Sequence, residues 1–248
     1  MPDSGSLTLP SRFANRLLQQ LSGADAGVLR LTLEPVTLDV GRVLYAPAQP
    51  VRHVYFVESG LVSIVGANKS RRRMEVGMVG FEGMTSVEIV LGGGLAAHEA
   101  LVQSPGSALR LPSSALRQVI AHSRSLHDVL LRFAHAFMVQ STHAAIAAGR
   151  ARIDERLSRG LLMWHDRIRE PDLFVTHEFL ALLMGVRRQG VTVALHELEG
   201  KGLIRSTRNR VRIIDRAGLE RTANGFYGAP EDEYRRLFGD ELKHHAAA

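Results

Sequence analysis

The stretch THEFLALLMGVRRQGVTVALHELEGKGLIRSTRNRVRII, residues 176–214, decides the fold of the C-terminal half of the chain. Thr176 is of a residue type that caps helix N-termini, and Leu180 and Leu183 behind it share one helix face. Gly185 follows the last of these apolar positions, where a glycine ends a helix by adopting the left-handed conformation. The stretch is therefore predicted to begin with a short helix that ends in a glycine turn.

A second helix and a hairpin are predicted in the remainder of the stretch. Apolar residues recur at spacings of 4 and 3 residues from Val191 through Leu195 to Leu198, which places them on one face of an α-helix. The glycines of GKG, residues 200–202, end this helix, and two apolar runs around the basic turn at 206–210 predict a β-hairpin. Helix, glycine turn, helix and hairpin in this order predict a winged helix-turn-helix.

Basic and amide side chains lie where a winged helix-turn-helix would meet DNA. Arg187, Arg188 and Gln189 open the second helix, whose first turn enters the major groove in this motif. Arginine pairs with guanine and glutamine with adenine, whereas arginines on a wing bind phosphates. The predicted DNA-contacting residues are Thr176, Arg187, Arg188, Gln189, Thr192, His196, Lys201, Arg205, Arg208 and Arg210. The alternative interpretation is a helical hairpin with a solvated arginine face.

The N-terminal half carries the period-two pattern of short strands. From residue 28 onward, apolar and polar residues alternate in short runs that glycine and proline interrupt. Such runs predict an antiparallel barrel or jelly roll, preceded here by a short helix at residues 12–20. Within the run VYFVESGLVS, residues 54–63, Gly60 is expected to form a tight turn between two strands.

A long helix is predicted to connect the two halves. From about residue 125 the chain is helical for roughly six turns, with a seam of alternating 4- and 3-residue spacings that is typical of coiled coils. The seam comprises Leu126, Leu130, Phe133, Phe137, Gln140 and Ala144, and it predicts a homodimer. The alternative is a helix packed on its own barrel, and both interpretations hold if Leu131, Met138 and Ile146 face the barrel.

These features together resemble the Crp/Fnr superfamily of bacterial transcription regulators, in which a cyclic-nucleotide-binding-like barrel precedes a C-terminal winged helix. The resemblance rests on the 54–63 run and the 176–214 stretch, and it extends from about residue 17 to residue 219. It implies an α+β fold with an N-terminal antiparallel β-barrel of jelly-roll type, a long dimerisation helix and a C-terminal winged helix-turn-helix. It also implies a transcription regulator that binds a two-fold symmetric site on double-stranded DNA and contacts RNA polymerase.

The chain departs from the resembled family at the cyclic-nucleotide site. In that family a Gly-Glu pair holds the ribose and an Arg-Ser pair holds the phosphate, because an anion needs a guanidinium and a hydroxyl. Here Phe81 follows Gly80, and Ala96 and Ala97 stand where the Arg-Ser pair belongs, so cyclic AMP is not the expected effector. The candidate effector pocket comprises Phe81, Glu82, Gly83, Met84, His98, Ser141 and Thr142, with His98 as the nearby cation candidate.

Composition narrows the classes of function. The chain has 248 residues, a net charge of +6 and a pI of about 10.3, which favours a polyanionic partner. It has no cysteine, which excludes disulfides, thiolate zinc sites and cysteine-ligated iron–sulfur clusters. The histidines at 122, 127, 135 and 143 lack the spacing of a metal site, so no metal or other cofactor is expected. No nucleophile–base pair is visible, so we do not expect an enzyme.

These patterns predict the domain organisation. The predicted parts are a disordered N-terminus at 1–11, a sensor barrel at 12–122, a dimerisation helix at 123–149, a winged helix-turn-helix domain at 150–225 and a C-terminal extension at 226–248. Neither a run of about 18 apolar residues nor a signal-peptide pattern occurs, so a cytoplasmic protein without a membrane partner is expected. Two alternatives stay open: a barrel-containing protein-interaction module with degenerate DNA binding, and a haem or small-molecule sensor of the same family.

Overall fold

The computed structural model describes residues 8–70, 72–168 and 170–239, which form two compact units. The first unit comprises the described residues up to Val62 together with Val79–Ala134. The second unit comprises Ser63–Met78 together with the described residues from His135 onward. The predicted disordered N-terminus and C-terminal extension therefore lie partly outside the described residues.

An antiparallel sheet organises the N-terminal half. Its strands are β1 (Glu34–Leu38), β2 (Val43–Tyr45), β3 (His53–Ala67), β4 (Arg73–Val79) and β5 (Glu99–Pro112). The order is β1-β5-β3-β4, and β2 also pairs with β5. The sheet is accompanied by four helices: α1 (Arg16–Gln19), α2 (Gly23–Arg30), α3 (Val87–Val90) and α4 (Ser113–His122). Among the described strands this jelly-roll-like sheet is open rather than closed into a barrel.

Two local predictions in the first unit were wrong. Residues 28–30 belong to α2 and do not begin the period-two pattern, because Ser22 starts this helix by accepting a hydrogen bond from the Asp25 backbone N–H at 3.1 Å. Gly60 lies inside the continuous strand β3, with φ 82°, and makes no hairpin turn. A Cβ at this position would lie 2.7 Å from the Pro105 carbonyl oxygen, so the close approach of β5 explains the glycine.

The long helix, the two helices of the motif and the hairpin follow in the predicted order, and further elements lie between and after them. In chain order the elements are α5 (Arg124–Arg150), α6 (Ile153–His165), β6 (Asp172–Phe174), α7 (His177–Met184), α8 (Arg188–Gly200), β7 (Ile204–Thr207), β8 (Arg210–Ile213), α9 (Arg216–Thr222) and α10 (Ala229–Phe238). Together with the jelly-roll-like sheet they confirm the predicted α+β fold. No helix within the described residues is long and apolar enough to cross a membrane.

The helix-turn-helix folds as its local sequence predicts. The Thr176 side chain accepts a hydrogen bond from the Phe179 N–H at 3.1 Å, and Gly185 ends α7 in the left-handed conformation with φ 60°. The apolar faces of α6 and α7 then meet in the core, where the Trp164 and Phe179 rings form an edge contact at 5.7 Å. The polar face of α8 remains in solvent.

Candidate DNA-binding surface and sensor loop

The second helix of the motif, α8, presents its predicted DNA-contacting residues to solvent. Its apolar face is buried and consists of Val191, Ala194, Leu195 and Leu198. On the opposite side Arg187, Arg188, Gln189 and His196 are exposed and Thr192 is half-buried. Because the helix is buried on one face only, the side chains on its opposite face reach the surface.

Hydrogen bonds with α7 orient the start of α8. His177 Nδ1 lies 3.0 Å from Thr192 Oγ1, and that hydroxyl also donates to the Arg188 carbonyl oxygen at 3.2 Å. Arg188 lies 3.4 Å from the Glu178 carboxylate, and both side chains are largely exposed. An exposed ion pair of this kind contributes little to stability. Sequence reasoning missed Glu178, although its place two residues after the cap put it on the same surface.

The wing is a three-stranded sheet of order β6-β8-β7. The hairpin of β7 and β8 was predicted, whereas the three-residue strand β6 was too short to show a period-two pattern. Asp172 on β6 accepts two hydrogen bonds from Arg212, at 2.7 and 2.8 Å, and lies 3.8 Å from Arg210. The bonds from Arg212 lower the pKa of Asp172 below its ordinary value. The carboxylate therefore stays ionised and offsets part of the wing's positive charge.

The remaining basic residues of the wing point into solvent. Arg205, Arg208 and Lys201 are exposed, and Arg210 stacks over the Phe174 ring at 4.4 Å from its centroid. An open groove lies between the wing tip and the starts of α7 and α8; its lining includes Thr176, Arg188 and Arg208. The structure thus brings the cap, the recognition helix and the wing to one surface.

The sensor loop, residues 80–84, carries four of the predicted effector-pocket residues and is packed with the protein's own side chains. Phe81, Glu82, Gly83 and Met84 are all buried in the first unit. A Cβ at Gly83 would lie 2.1 Å from the Phe133 ring, so this ring presses directly on the loop backbone. Glu82 accepts a hydrogen bond from the Gly80 N–H at 3.0 Å, which turns its carboxylate back onto the loop itself.

An N-terminal anchor holds the same loop from another side. The Asn15 side chain donates to the Gly83 and Val57 carbonyl oxygens, both at 2.7 Å. The Arg16 guanidinium lies 4.8 Å from the centre of the Phe81 ring. These contacts hold the loop through the Gly83 carbonyl oxygen and the Phe81 ring.

The other candidate effector residues are placed as follows. In the first unit, Ala96 is buried, Ala97 is exposed and His98 is half-buried. In the second unit, Ser141 is half-buried and Thr142 is exposed, with its hydroxyl donating to the Met138 carbonyl oxygen at 2.9 Å. The Thr142 hydroxyl therefore bonds to its own helix.

The two apolar faces of α5 are buried and exposed in the opposite way to the prediction. Leu126, Leu130 and Phe133 are buried within the single chain, and so they cannot also form an intermolecular seam. Gln140 is also buried, and its amide pairs with both backbone groups of Met78, at 2.6 and 3.2 Å. Phe137 is half-buried and packs against Gly77, where a Cβ would lie 2.7 Å from the ring.

The residues that were expected to face the barrel are exposed instead. Leu131, Met138 and Ile146 expose 37%, 58% and 45% of their surface. Ala144, the last residue of the predicted seam, is half-buried and lines a pocket of the second unit. Sequence periodicity found the two apolar stripes of the helix, but it could not tell which of them the chain covers.

Two of the four histidines form hydrogen bonds, whereas Nε2 of His127 is buried without a partner among the described residues. His122 bonds to the Gln118 carbonyl oxygen at 2.7 Å, and His135 lies 2.8 Å from the Glu233 carboxylate. Within the described ranges, no group of three or more His, Asp or Glu side chains has a metal-binding arrangement.

Two family models match the chain. Residues 35–123 match the cyclic nucleotide-binding domain and residues 155–222 match the Crp-like helix-turn-helix domain. A comparison with curated proteins finds no match.

Solved structures share the fold. A CRP-family transcriptional regulator of Thermus thermophilus has 22% identity and a TM-score of 0.66 over 78% of this chain and 99% of its own. The c-di-GMP-responsive global regulator CLP of Xanthomonas campestris has 18% identity and a TM-score of 0.63, over 77% and 99%. FixK2 of Bradyrhizobium japonicum has 16% identity and a TM-score of 0.66, over 77% and 96%.

A cyclic-nucleotide-binding-type domain followed by a winged helix-turn-helix defines a class of DNA-binding transcription regulators. The chain belongs to this class as a member of the Crp/Fnr superfamily. Proteins of this family are transcription regulators rather than enzymes.

Proposed function

We propose that the protein regulates transcription by binding, as a homodimer, a two-fold symmetric site on double-stranded DNA. The observation that carries the proposal is the exposed row of Arg187, Arg188 and Gln189 at the start of α8, beside a wing with exposed Arg205 and Arg208. The helix start reads bases and the wing binds phosphates in this type of motif.

The side chains along α8 support a division of roles. Arg188 and Gln189 lie in the first turn and read a purine each, because both side chains can form two hydrogen bonds to a base edge. Thr192 and His196 lie one and two turns further along and supply polar contacts. Val193 is exposed between them, and an apolar side chain there suits a thymine methyl group.

The exposed face of α5 supports the homodimer. Positions 131, 135, 138, 142, 145 and 149 are all exposed and follow one another at spacings of 4, 3, 4, 3 and 4 residues. This is the repeat of a coiled-coil seam, and its later members Ala145 and Gly149 are small enough for two helices to approach closely. A dimer through this face would present two copies of α8 to half-sites about one DNA turn apart.

The effector is proposed to differ from cyclic AMP. Ala96 and Ala97 supply no phosphate ligand, and Phe133 presses on the loop at Gly83. Burying a phosphate without a cation costs more than the ligand's other contacts return. We also propose that the dimer acts in the cytoplasm and contacts RNA polymerase, as the family likeness suggests.

The experiment is a selection of bound duplexes from a random library, followed by fluorescence anisotropy. The full chain should bind the selected two-fold site more tightly than an isolated half-site or a scrambled duplex. Affinity should fall steeply between about 50 and 200 mM salt, because phosphate contacts release counterions. Equal affinity for the selected and scrambled duplexes would contradict sequence-specific regulation.

A further inference from the structure

The tip of the hairpin that β3 and β4 form carries a run of basic residues that no role described above uses. Its sequence is KSRRR, residues 69–73, and the nearest acidic residues along the chain are Glu58 and Glu75. The side chains of Lys69, Arg72 and Arg73 are exposed. The hairpin tip therefore presents a concentrated positive charge to solvent.

Hydrogen bonds close the turn at this tip. The Asn68 N–H donates to the Arg72 carbonyl oxygen at 3.1 Å, and the Asn68 side chain accepts from the Arg72 N–H at 3.0 Å. Lys69 and Arg72 form no salt bridge with another residue that the structure describes, whereas Arg212 of the wing is paired with Asp172. Like charges that are held together without a counter-charge repel one another, and an anionic partner relieves that repulsion.

The hairpin tip belongs to the second unit, where it packs on the turn of the helix-turn-helix. A Cβ at Gly185 would lie 3.5 Å from the Cγ and Sδ atoms of Met74. Arg156 Nη2 lies 3.9 Å from Met74 Sδ and also donates to the Met184 carbonyl oxygen. Because Met74 directly follows the basic run, these contacts hold the run beside the end of α7.

The same turn leads into the recognition helix. Arg187 and Arg188 follow Gly185 by two and three residues, and the first turn of such a helix enters the major groove. Phosphates line both edges of that groove. Consecutive Cα atoms are about 3.8 Å apart, so the last two arginines of the run start close to a side chain that contacts the turn.

The hairpin tip and the wing lie near opposite ends of α7. The wing residues 206–209 share a groove with Thr176 at the start of α7, whereas Met74 contacts Gly185 at its end. The 8 residues of α7 span about 12 Å, which is about the width of a major groove. The hairpin tip is therefore placed to reach phosphates that the wing does not reach.

The composition of the hairpin tip fits nucleic acid better than a protein partner. Residues 68–73, NKSRRR, include no apolar or aromatic side chain. The centres of protein–protein interfaces are enriched in aromatic side chains and depleted of lysine. Contact with phosphates requires only positive charge and hydrogen-bond donors, which every residue of this stretch can supply.

We propose that the tip of the β3–β4 hairpin is a second phosphate-binding element, which contacts the DNA backbone beside the helix turn through Lys69, Arg72 and Arg73. It adds affinity and salt dependence without reading bases. This inference rests on the proposed DNA binding. It adds a DNA contact from outside residues 155–222, which match the helix-turn-helix family model.

The test is fluorescence anisotropy of the full chain and of Lys69→Gln/Arg72→Gln on the selected and scrambled duplexes. The double variant should bind both duplexes roughly 10-fold more weakly, and its slope of log affinity against log salt should be smaller by about 2, because two phosphate contacts are lost. The ratio of the two affinities should not change. The control Arg52→Gln/Arg124→Gln removes the same charge from exposed positions of the first unit and should bind like the wild type.

Two further measurements separate a phosphate contact from an effect on folding. Lys69→Arg/Arg72→Lys keeps both charges and should keep the wild-type salt slope. In ethylation interference, some modified phosphates should weaken the wild type and leave the double glutamine variant unaffected. The turn's hydrogen bonds use the Arg72 backbone and Asn68, so all these variants should keep the wild-type melting temperature.

Two results would overturn the proposal. Weaker DNA binding by the double glutamine variant with an unchanged salt slope would come from a structural change and not from lost phosphate contacts. Unchanged affinity and an unchanged slope would assign the hairpin tip to a protein partner or to solvent.

The outcomes for the hairpin tip and for the proposed function are distinguishable. A wild type with equal affinity for both duplexes would contradict sequence-specific regulation, yet a smaller salt slope in the double glutamine variant would still support the phosphate contact. Sequence-specific binding by the wild type, with the same slope in that variant, would refute the phosphate contact alone.

Discussion

Glu75 has a carboxyl group whose proton is coupled to folding. Desolvation raises its pKa from 4.5 to about 7, and the Ser63 hydrogen bond together with Arg159 and Arg167 opposes this rise. The folded protein therefore holds a proton that the unfolded chain releases. Stability from this group is fully present below about pH 4.5 and is lost as the pH rises through 7.

The first prediction follows from this shift. Wild-type stability relative to Glu75→Gln should fall between about pH 4.5 and pH 8, by roughly 3 kcal/mol in total. Urea unfolding of both proteins across this range measures the difference. Ser63→Ala should raise the pKa of Glu75 further, because it removes a hydrogen bond that lowers it. A pH-independent difference between wild type and Glu75→Gln would show that the carboxyl group is solvated.

The second prediction separates base contacts from phosphate contacts. Arg188→Ala should cost about 1–3 kcal/mol on the selected site and relax preference at one base pair of each half-site. Arg208→Ala should weaken binding to selected and scrambled duplexes alike and should reduce the salt slope. Anisotropy on both duplexes at several salt concentrations measures these effects. If Arg188→Ala keeps the wild-type base preference, Arg188 does not read a base.

At the scale of elements, the two faces of α5 differ in their exposure to solvent. Its inner face is covered by the chain itself, as the contact between Phe137 and Gly77 shows. Its outer face leaves Leu131, Met138 and Ile146 in solvent. Charges introduced on the two faces should therefore have different consequences.

The third prediction uses this difference. Met138→Glu should raise the Kd of the proposed dimer more than 10-fold, because two carboxylates would face one apolar seam. The melting temperature of the monomer should not change. Phe137→Glu should lower the melting temperature, because it buries a charge beside the Gly77 backbone. Analytical ultracentrifugation and thermal melts measure the two properties. A Met138→Glu protein that sediments like the wild type would refute the outer face as the interface.

The fourth prediction concerns the cap of α7. Thr176→Ala should destabilise the protein by about 1 kcal/mol, because the Phe179 N–H loses its acceptor, and Thr176→Ser should restore most of this loss. Chemical denaturation measures both. Thr222→Ala is a suitable control, since that hydroxyl donates to the Gly218 carbonyl oxygen within its own helix, α9. Equal effects of the changes at 176 and 222 would contradict a capping role.

At the scale of the whole molecule, the fifth prediction concerns the effector. Calorimetry with cyclic AMP and cyclic GMP at micromolar concentrations should give no saturable isotherm, because Ala96 and Ala97 supply the phosphate with neither a guanidinium nor a hydroxyl. A saturable isotherm that Glu82→Gln or His98→Ala abolishes would show that these residues hold the nucleotide after all.

The amino-acid sequence by itself determined the helix-turn-helix and the wing hairpin. These features depend on interactions between residues that are close in the chain, such as the Thr176 cap, the left-handed Gly185 and the period of α8. The same local interactions predicted the start of α5, although its 27 residues exceed the predicted six turns. The predicted DNA-contacting residues could be found from the sequence, because their exposure follows from the apolar face on the opposite side.

Only the tertiary structure decided which stripe of α5 is covered, because both stripes are apolar and their burial depends on elements far away in the chain. It alone explained Gly60 by the approach of β5 and added the short strand β6 beside the hairpin. A pocket of the second unit that Arg159 lines is also invisible in the sequence. Its walls come from four separate elements, and the burial of two Arg159 nitrogens without hydrogen-bond partners among the described residues is recognised only when their surroundings are known.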